Sequence, residues 1–328
     1  MTAFAKLGGF KVLKDILWLA LIASPGTPSF PSRFCGALAK QRINLPYLTC
    51  LDYESRWGVN IALAPEDETK VTGLAAHAFG NVFIRRSRAV ILSIFPHKHN
   101  PEITGALFET LSREGVEPQA LANSPAAVSV VLREENLARA SNALFGPFSF
   151  SAYRTPEDWK LAQKGRESLY KEVVASYQER RPKVYGLNYR ENQELLNVIL
   201  RGKSIGHFGN TLREFAHLKL HLTFLATSPC EDRVKGCVAF CLPCSAAHSH
   251  ARIVNRIVPS VTIQDRSPVA IFSMTGPHFG DRYGIAGELL GALEQAGITL
   301  LGLTCSIASI KGVVPAEQIH PTIAAIQT

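Results

Sequence analysis

Internal repetition constrains this sequence more than any other feature. The stretch GPHFGDRYGIAGELLGALEQAGITLLGLTCSIASIKGVVP, residues 276–315, has weaker copies upstream. Each copy reads as an apolar strand, a Gly/Pro-rich turn, a helix with one apolar face, a second strand, a short turn and a third strand. In the last copy Ile285, Leu289, Leu290 and Leu293 have the spacing with which a helix buries one face, and Gly297 follows as a helix-ending glycine. Residues 298–306 and 307–314 are expected to pair as a hairpin. Aligning the helix ends puts Ile43, Val116, Leu220 and Ile298 in register, at steps of 73, 104 and 78 residues. Two close pairs result, separated by a longer connection.

The repeats place units near residues 10–85, 86–152, 183–262 and 263–328. Residues 153–182 between them are rich in Glu, Lys, Arg and Gln, interspersed with Trp159, Leu169, Val173 and Tyr177, and read as an exposed linking helix. A strand-helix-strand-strand-helix unit buries one face of an antiparallel sheet against two helices. The expected fold is therefore α+β: four ferredoxin-like βαββαβ units, helices on one sheet face, in two tandem pairs.

Composition fits packed cores, with 46% of residues hydrophobic and 19% charged. No apolar run approaches the ~20 residues of a membrane-spanning helix, so no membrane association is expected. The run ILWLALIA, residues 16–23, follows Lys6, Lys11 and Lys14 like a short signal peptide, but Asp15 abuts it and it falls at a first-strand position. Seven cysteines, an odd number, point to reduced thiols and a cytoplasmic location. The net charge of +8 is spread along the chain without a basic block, which reads as a solvated surface.

Three constellations suggest chemistry. Cys237, Cys241 and Cys244, with His248 and His250 after them, have the spacing of a cluster or zinc site, yet Cys237 and Cys241 fall on one face of a strand as small apolar residues. AKLGGFKV at residues 5–12 is similar to the K-F-G-G-[ST] start of aspartate kinases, but Phe10 and Lys11 replace the hydroxyls. The histidines His97, His99, His207, His217, His221 and His278 sit in or near turns without a pattern of carboxylates. No Ser-His-Asp or paired-carboxylate arrangement stands out. No metal or cofactor is expected, and the chain is expected not to be an enzyme.

The turn between first strand and first helix remains. A helix N-terminus presents unpaired N–H groups and partial positive charge to a carboxylate, and glycines admit a ligand close to the backbone. In the fourth unit Gly276, Gly280 and Gly284 surround His278, Phe279, Asp281 and Arg282, so that the turn offers amides together with an acid for an ammonium group. An amino acid carries both groups. The same glycines also serve simply to make the turn.

The run Asp281-Arg282-Tyr283-Gly284 followed by GELLGALEQAGITLLGLTCSIASIKGVV resembles the ACT domains, most closely the second of the paired regulatory ACT domains of aspartate kinases, through to an S-x-x-x-I-K hairpin. KVYGLNYRENQELLNVILRG, residues 183–202, resembles the strand-turn-strand entry into the first of that pair, and GFKVLKDILWLALIASPG, residues 9–26, repeats it. The resemblance covers all but the linking helix. At the D-x-P-G positions of that family the other units carry Gly26-Thr27-Pro28-Ser29, His99-Asn100-Pro101-Glu102 and Lys203-Ser204-Ile205-Gly206, so only the fourth unit keeps both acid and glycine. The family's last strand has no counterpart after the final helix; a segment ahead of a unit could donate it.

The resemblance implies sensing of an amino-acid effector at an interface between units, with output to a partner enzyme of amino-acid metabolism or through homo-oligomerisation. Implied contacts are Gly276, His278, Phe279, Asp281, Arg282 and Gly284, with Thr304 and Ser306 on the adjacent strand and Gly26, Thr27 and Ser29 in the first unit. An alternative is a protein-interaction scaffold whose ligand turns have decayed. RNA-recognition motifs share the element order, but their central strands need stacking aromatics and the third strands here offer only Phe240, so nucleic acid is not expected as a partner.

Overall fold

The computed structural model describes residues 5–327 apart from 28, 54–55, 81, 97–98, 126, 164–185, 202–204, 230–234, 247–248, 277–281 and 307–308. Four successive sets of strand, helix, strand, strand and helix make up most of it. The first is β2 (Gly9–Ile22), α1 (Phe30–Lys40), β3 (Tyr47–Tyr53), β4 (Arg56–Leu63) and α2 (Glu68–Phe79). The second is β5 (Phe83–Phe95), α3 (Pro101–Arg113), β6 (Ala120–Asn123), β7 (Val128–Arg133) and α4 (Leu137–Ala143). Strand β8 (Phe148–Phe150), which pairs in parallel with β1 (Ala5–Leu7), and helix α5 (Pro156–Gln163) follow. The third set is β9 (Gly186–Arg201), α6 (Gly206–His217), β10 (Phe224–Ser228), β11 (Lys235–Pro243) and α7 (His250–Ile257). The fourth is β12 (Thr262–Thr275), α8 (Ile285–Gln295), β13 (Gly302–Ser306), β14 (Ser309–Pro315) and α9 (Ile319–Gln327). Of the expected linking helix, the described part is α5; Leu169, Val173 and Tyr177 lie outside the described residues.

The sheet differs from four separate sandwiches. All strands but β1 and β8 form one closed, antiparallel barrel, in the order β10-β11-β9-β12-β14-β13-β3-β4-β2-β5-β7-β6. The long first strands are what join the sets. Residues 17–22 of β2 pair with β4 on one side and with residues 83–88 of β5 on the other, whereas residues 9–13 pair with residues 91–95, beyond which β5 continues to β7. Each of these strands thus completes the sheet of its neighbour. β9 and β12 do the same, and residues 186–193 of β9 flank β12 on the side away from β14.

The expected strand-turn-strand at 183–202 is therefore one strand with a bulge. The register shifts between Leu13 and Ile16 in β2 and beside Gln193 in β9, where Asp15 and Asn192 take φ of 55° and 56°. An extra residue turns the side-chain parity over. Phe10 and Val12 face the helices of the second set, while after the bulge Leu17, Leu19 and Leu21 face those of the first.

Two cores follow from this exchange. One joins the helices of the second and third sets and takes in Phe10, Leu107, Phe108, Phe208, Phe215 and Trp159; the other joins the first and fourth around Phe30, Phe34, Val59, Phe272, Leu289 and Val314. Inside the barrel two smaller clusters face each other, around Trp18 and Tyr47 and around Phe224 and Ile271.

The four helix ends are built alike. The amides of Ile43, Val116, Leu220 and Ile298 donate to the carbonyls of Leu38, Leu111, Phe215 and Leu293 at 3.1, 2.8, 2.9 and 2.9 Å. The residue before each is left-handed: Arg42, Gly115, Lys219 and Gly297 have φ of 56°, 65°, 58° and 68°. Only two of these are glycine. Lys219→Gly is expected to raise stability by roughly 0.5–1 kcal/mol, the left-handed strain of about 1–2 kcal/mol relieved less the entropy that glycine adds to the unfolded chain, about 0.4–1 kcal/mol. Urea midpoints at unchanged m-value measure it, and a loss of stability would show that the lysine stem contributes more than its backbone costs. After Gly297, residues 298–300 lead into the strand, so the hairpin is shorter than the sequence reading, 302–306 against 309–313.

Candidate functional site

The first and fourth sets lie side by side. β3 pairs with β13, from Leu48 opposite Cys305 to Leu51 opposite Gly302, and α1 packs on α8 where a Cβ built on Gly287 would stand 3.0 Å from the Cys35 carbonyl oxygen. A near-symmetric pair of openings flanks this contact, each where the strand-helix turn of one set meets the helix end of the other.

The first-set turn opens on a cleft of about 500 Å³, lined by Gly26, Thr27 and Ser29 together with Asp52, Trp57, Glu294 and residues 297–300. That volume suits a small molecule. Gly26 has φ of 78°, which lets the chain turn back into α1. The Thr27 hydroxyl donates to the Ser24 carbonyl at 2.7 Å and fixes the loop. Glu294, on α8, reaches the N-terminus of α1, where the Ser32 hydroxyl donates to its Oε2 at 2.5 Å. Hydrogen bonds from Ser29 and Ser32, with Arg33 nearby, hold the Glu294 carboxyl below the usual carboxylate range. Asp52 is held from the other side by Arg266 of β12, whose Nη1 and Nη2 donate to its Oδ2 at 3.3 and 3.4 Å. The cleft thus has two carboxylates, a hydroxyl-lined turn and the N-terminus of α1 around an indole.

The fourth-set turn offers far less room among the described residues. Arg282 and Gly284 line a space of about 20 Å³ with Cys35, Ala39, Gly287 and Cys305, enough for a single water. Gly284 has φ of 96° and caps α8, and a Cβ there would touch Ala39 at 3.8 Å. Burial pushes the Cys35 and Cys305 thiols up to about 12, so they pack as small apolar groups.

Of the residues singled out in the sequence, Gly26, Thr27 and Ser29 come together in the larger cleft, Arg282 and Gly284 in the smaller, and Gly276 is buried between β12 and the turn. His278, Phe279 and Asp281 lie outside the described residues. Thr304 stands apart from both openings. Alternation on β13 puts Leu303 and Cys305 on the helix face, so Thr304 faces the barrel interior and donates to the Asn123 carbonyl at 3.4 Å. The Ser306 hydroxyl donates to the Ser309 carbonyl at 3.2 Å and closes the β13–β14 hairpin. Asp52, Trp57 and Glu294 were not legible in the repeat, because they enter the cleft from elements whose neighbours only the tertiary pairing decides.

The second and third sets pair the same way through β6 and β10 and through α3 and α6. There the Glu117 carboxyl accepts a hydrogen bond from the backbone of Ile205, just ahead of α6; burial pushes it up, and that bond and His207 oppose the shift. Elsewhere in the third set, buried His250 bonds through Nδ1 to Glu194 Oε2. Burial and the neighbouring Glu194 charge push Asp265 up to about 6.

Cys237 and Cys241 are buried, and Cys241 packs in the barrel interior, while Cys244 Sγ lies 3.6 Å from Ser267 Oγ. Among the described residues no group of three or more His, Cys, Asp or Glu side chains is placed to hold a metal ion. No helix among them is long and apolar enough to cross a membrane. Phe240 is fully buried against Phe208 and Phe215, so it offers no stacking surface for a base.

No protein-family profile and no curated protein sequence matches the chain. Among solved structures, aspartate kinase from Synechocystis superposes with a TM-score of 0.79 at 16% identity, over 98% of this chain and 55% of the kinase. The chain thus spans about half the length of the kinase chain it matches. The regulatory subunit of aspartate kinase from Thermus thermophilus, in its ligand free form, matches 44% of this chain and 99% of its own at 19% identity, with a TM-score of 0.39. The fold is that of a part of aspartate kinase, a mixed α/β architecture with an antiparallel sheet. The expectation that the chain is not an enzyme is corrected by this finding, since the structure matching nearly all of it is that of an enzyme.

Proposed function

We propose that this chain is the amino-acid-sensing part of an aspartate-kinase-like enzyme, with ACT-type sets whose effector enters the cleft between the first-set turn and the end of α8. The observation that carries the reading is the cleft itself, about 500 Å³ at the junction of two sets. Asp52 and Glu294 face an ammonium group there, and the 26–29 turn with the start of α1 faces a carboxylate. The ligand then touches two sets at once, the first through Asp52 and the turn and the fourth through Glu294. Binding favours whichever arrangement of the sets brings those groups to the right separation, which is the differential affinity that a regulatory ligand requires.

A thermal-shift screen against the common amino acids identifies the effector, because a ligand that binds only the folded protein raises the midpoint by mass action, about 2.7 kcal/mol at a hundredfold excess over Kd. Asp52→Ala is expected to weaken the selected amino acid at least tenfold in calorimetry, about 1.4 kcal/mol. The part-exposed Arg266 pair it breaks contributes only about 0–1 kcal/mol to the fold. Selective binding with unchanged affinity in Asp52→Ala places the ligand elsewhere. A screen with no shift supports a protein-docking role for the same turns.

A further inference from the structure

A polar row crosses the joined sheet of the first and fourth sets on the barrel's inner face. Asn60 stands opposite Thr49, Thr49 opposite Thr304, and Thr304 opposite Lys311. Asn60 and Lys311 thus occupy matching places on either side of the β3–β13 seam. Asn60 is a satisfied amide: its Nδ2 donates to Thr49 Oγ1 at 3.0 Å and to the Thr227 carbonyl at 2.9 Å, and its Oδ1 accepts from Trp18 Nε1 at 3.2 Å. Lys311 puts an amine where its counterpart puts an amide, and it is 2% exposed.

Its contacts reach two other sets. Nζ donates to the Thr223 carbonyl of the third set at 2.8 Å and meets Nε2 of His99 at 3.3 Å, in the turn before α3 of the second. Thr223 in turn donates its hydroxyl to Gln193 Oε1 at 2.8 Å, beside the bulge at which β9 passes from one sheet to the other. His99 takes φ of 56°, and its carbonyl accepts from the Leu222 amide at 3.0 Å. Three of the four sets therefore converge on one amine, with no carboxylate paired to it among the described residues.

We propose that Lys311 and His99 form a proton-operated latch between the two side-by-side pairs, closed while the amine is neutral and loosened when it takes up a proton. Burial drives the Lys311 amine down to about 7; the Cys241 thiol of β11 opposes the shift, and Arg190 of β9 adds to it. Burial holds Cys241 itself well above the ordinary thiol range, against the opposing pull of Lys311. The charged amine is thus held by a carbonyl oxygen and a ring nitrogen with no carboxylate beside it among the described residues, while the neutral one keeps a donor for Thr223.

The sign follows from linkage. The folded state binds fewer protons than the unfolded chain between about pH 7 and the ordinary lysine value of about 10.5. Stability from this site therefore rises with pH through that window and is lost as pH falls through it.

The test is the thermal midpoint of the full chain from pH 6 to 10, in the natural sequence and in Lys311→Met. The natural protein is expected to gain midpoint from pH 7 upward relative to Lys311→Met, which keeps the stem without the charge. Parallel profiles overturn the latch. Should Lys311→Met not fold, the natural protein labelled with 13C at lysine Cε decides: one resonance titrating near 7 is expected, and every lysine titrating above 9 overturns the proposal. In His99→Gln that resonance is expected to move, and an unmoved titration removes His99 from the latch.

Discussion

Phe10→Ala is expected to destabilise the protein by roughly 3–5 kcal/mol, as truncation of a fully buried phenylalanine does, and to do so in a part of the molecule that its place in the sequence does not indicate. Phe10 belongs to the segment that forms the first set, yet its ring lies 4.7 Å from Trp159 in a stacked contact, 5.1 Å from Phe150 and 5.6 Å from Tyr153. Its backbone is held there too: the Tyr153 hydroxyl accepts from the Phe10 amide at 3.0 Å and donates to the Phe10 carbonyl at 2.8 Å. The lost packing therefore falls on the core of the second and third sets. Urea unfolding measures the size of the effect and native-state hydrogen exchange its location, with α3 and α6 losing protection before α1 and α8. Loss confined to α1 and α2 would contradict the strand exchange.

Gly105→Ala should cost about 1–3 kcal/mol by overpacking, although alanine is the better helix former by about 1 kcal/mol. A Cβ at Gly105 would stand 2.8 Å from the Gly209 carbonyl oxygen and 3.3 Å from Leu212 Cβ, and one at Gly209 would stand 3.0 Å from the Gly105 carbonyl oxygen. The obstacle is backbone, so α3 and α6 must separate to admit a methyl group. That separation also strains the Arg213 to Glu109 pair, where Nη2 meets Oε2 at 2.5 Å. Gly36 in α1 is the control, since nothing lies within 4 Å of a Cβ there and Gly36→Ala is expected to be neutral or stabilising. Equal losses for the two substitutions, read from denaturant midpoints, would show that helix contact is not what glycine serves at position 105.

The sequence made some of this legible and concealed the rest for identifiable reasons. The helix ends at Ile43, Val116, Leu220 and Ile298 could be aligned because a C-terminal hydrogen bond is local, with donor and acceptor five residues apart. The exchange of long strands was hidden by the bulges at Asp15 and Asn192, where an alternating pattern reverses and resembles an interruption. The cleft was half visible. Gly26, Thr27 and Ser29 announce a turn before a helix, but Asp52 and Glu294 become its walls only because β3 meets β13 and α8 crosses α1, and a repeat pattern does not specify which copies become neighbours. Thr304 points away from the helix side because it lies one step out of phase with strand neighbours that do face the helices.

The exchanged strands also define what can be cut away from the barrel. β2 pairs with β5 across the boundary between their sets, as β9 does with β12, so excising one set leaves its tandem neighbour with an unpaired strand edge and an open core. Excising two sets together keeps that exchange but still cuts the β3–β13 and β6–β10 seams and opens both cores, so the four sets stand or fall as one closed unit.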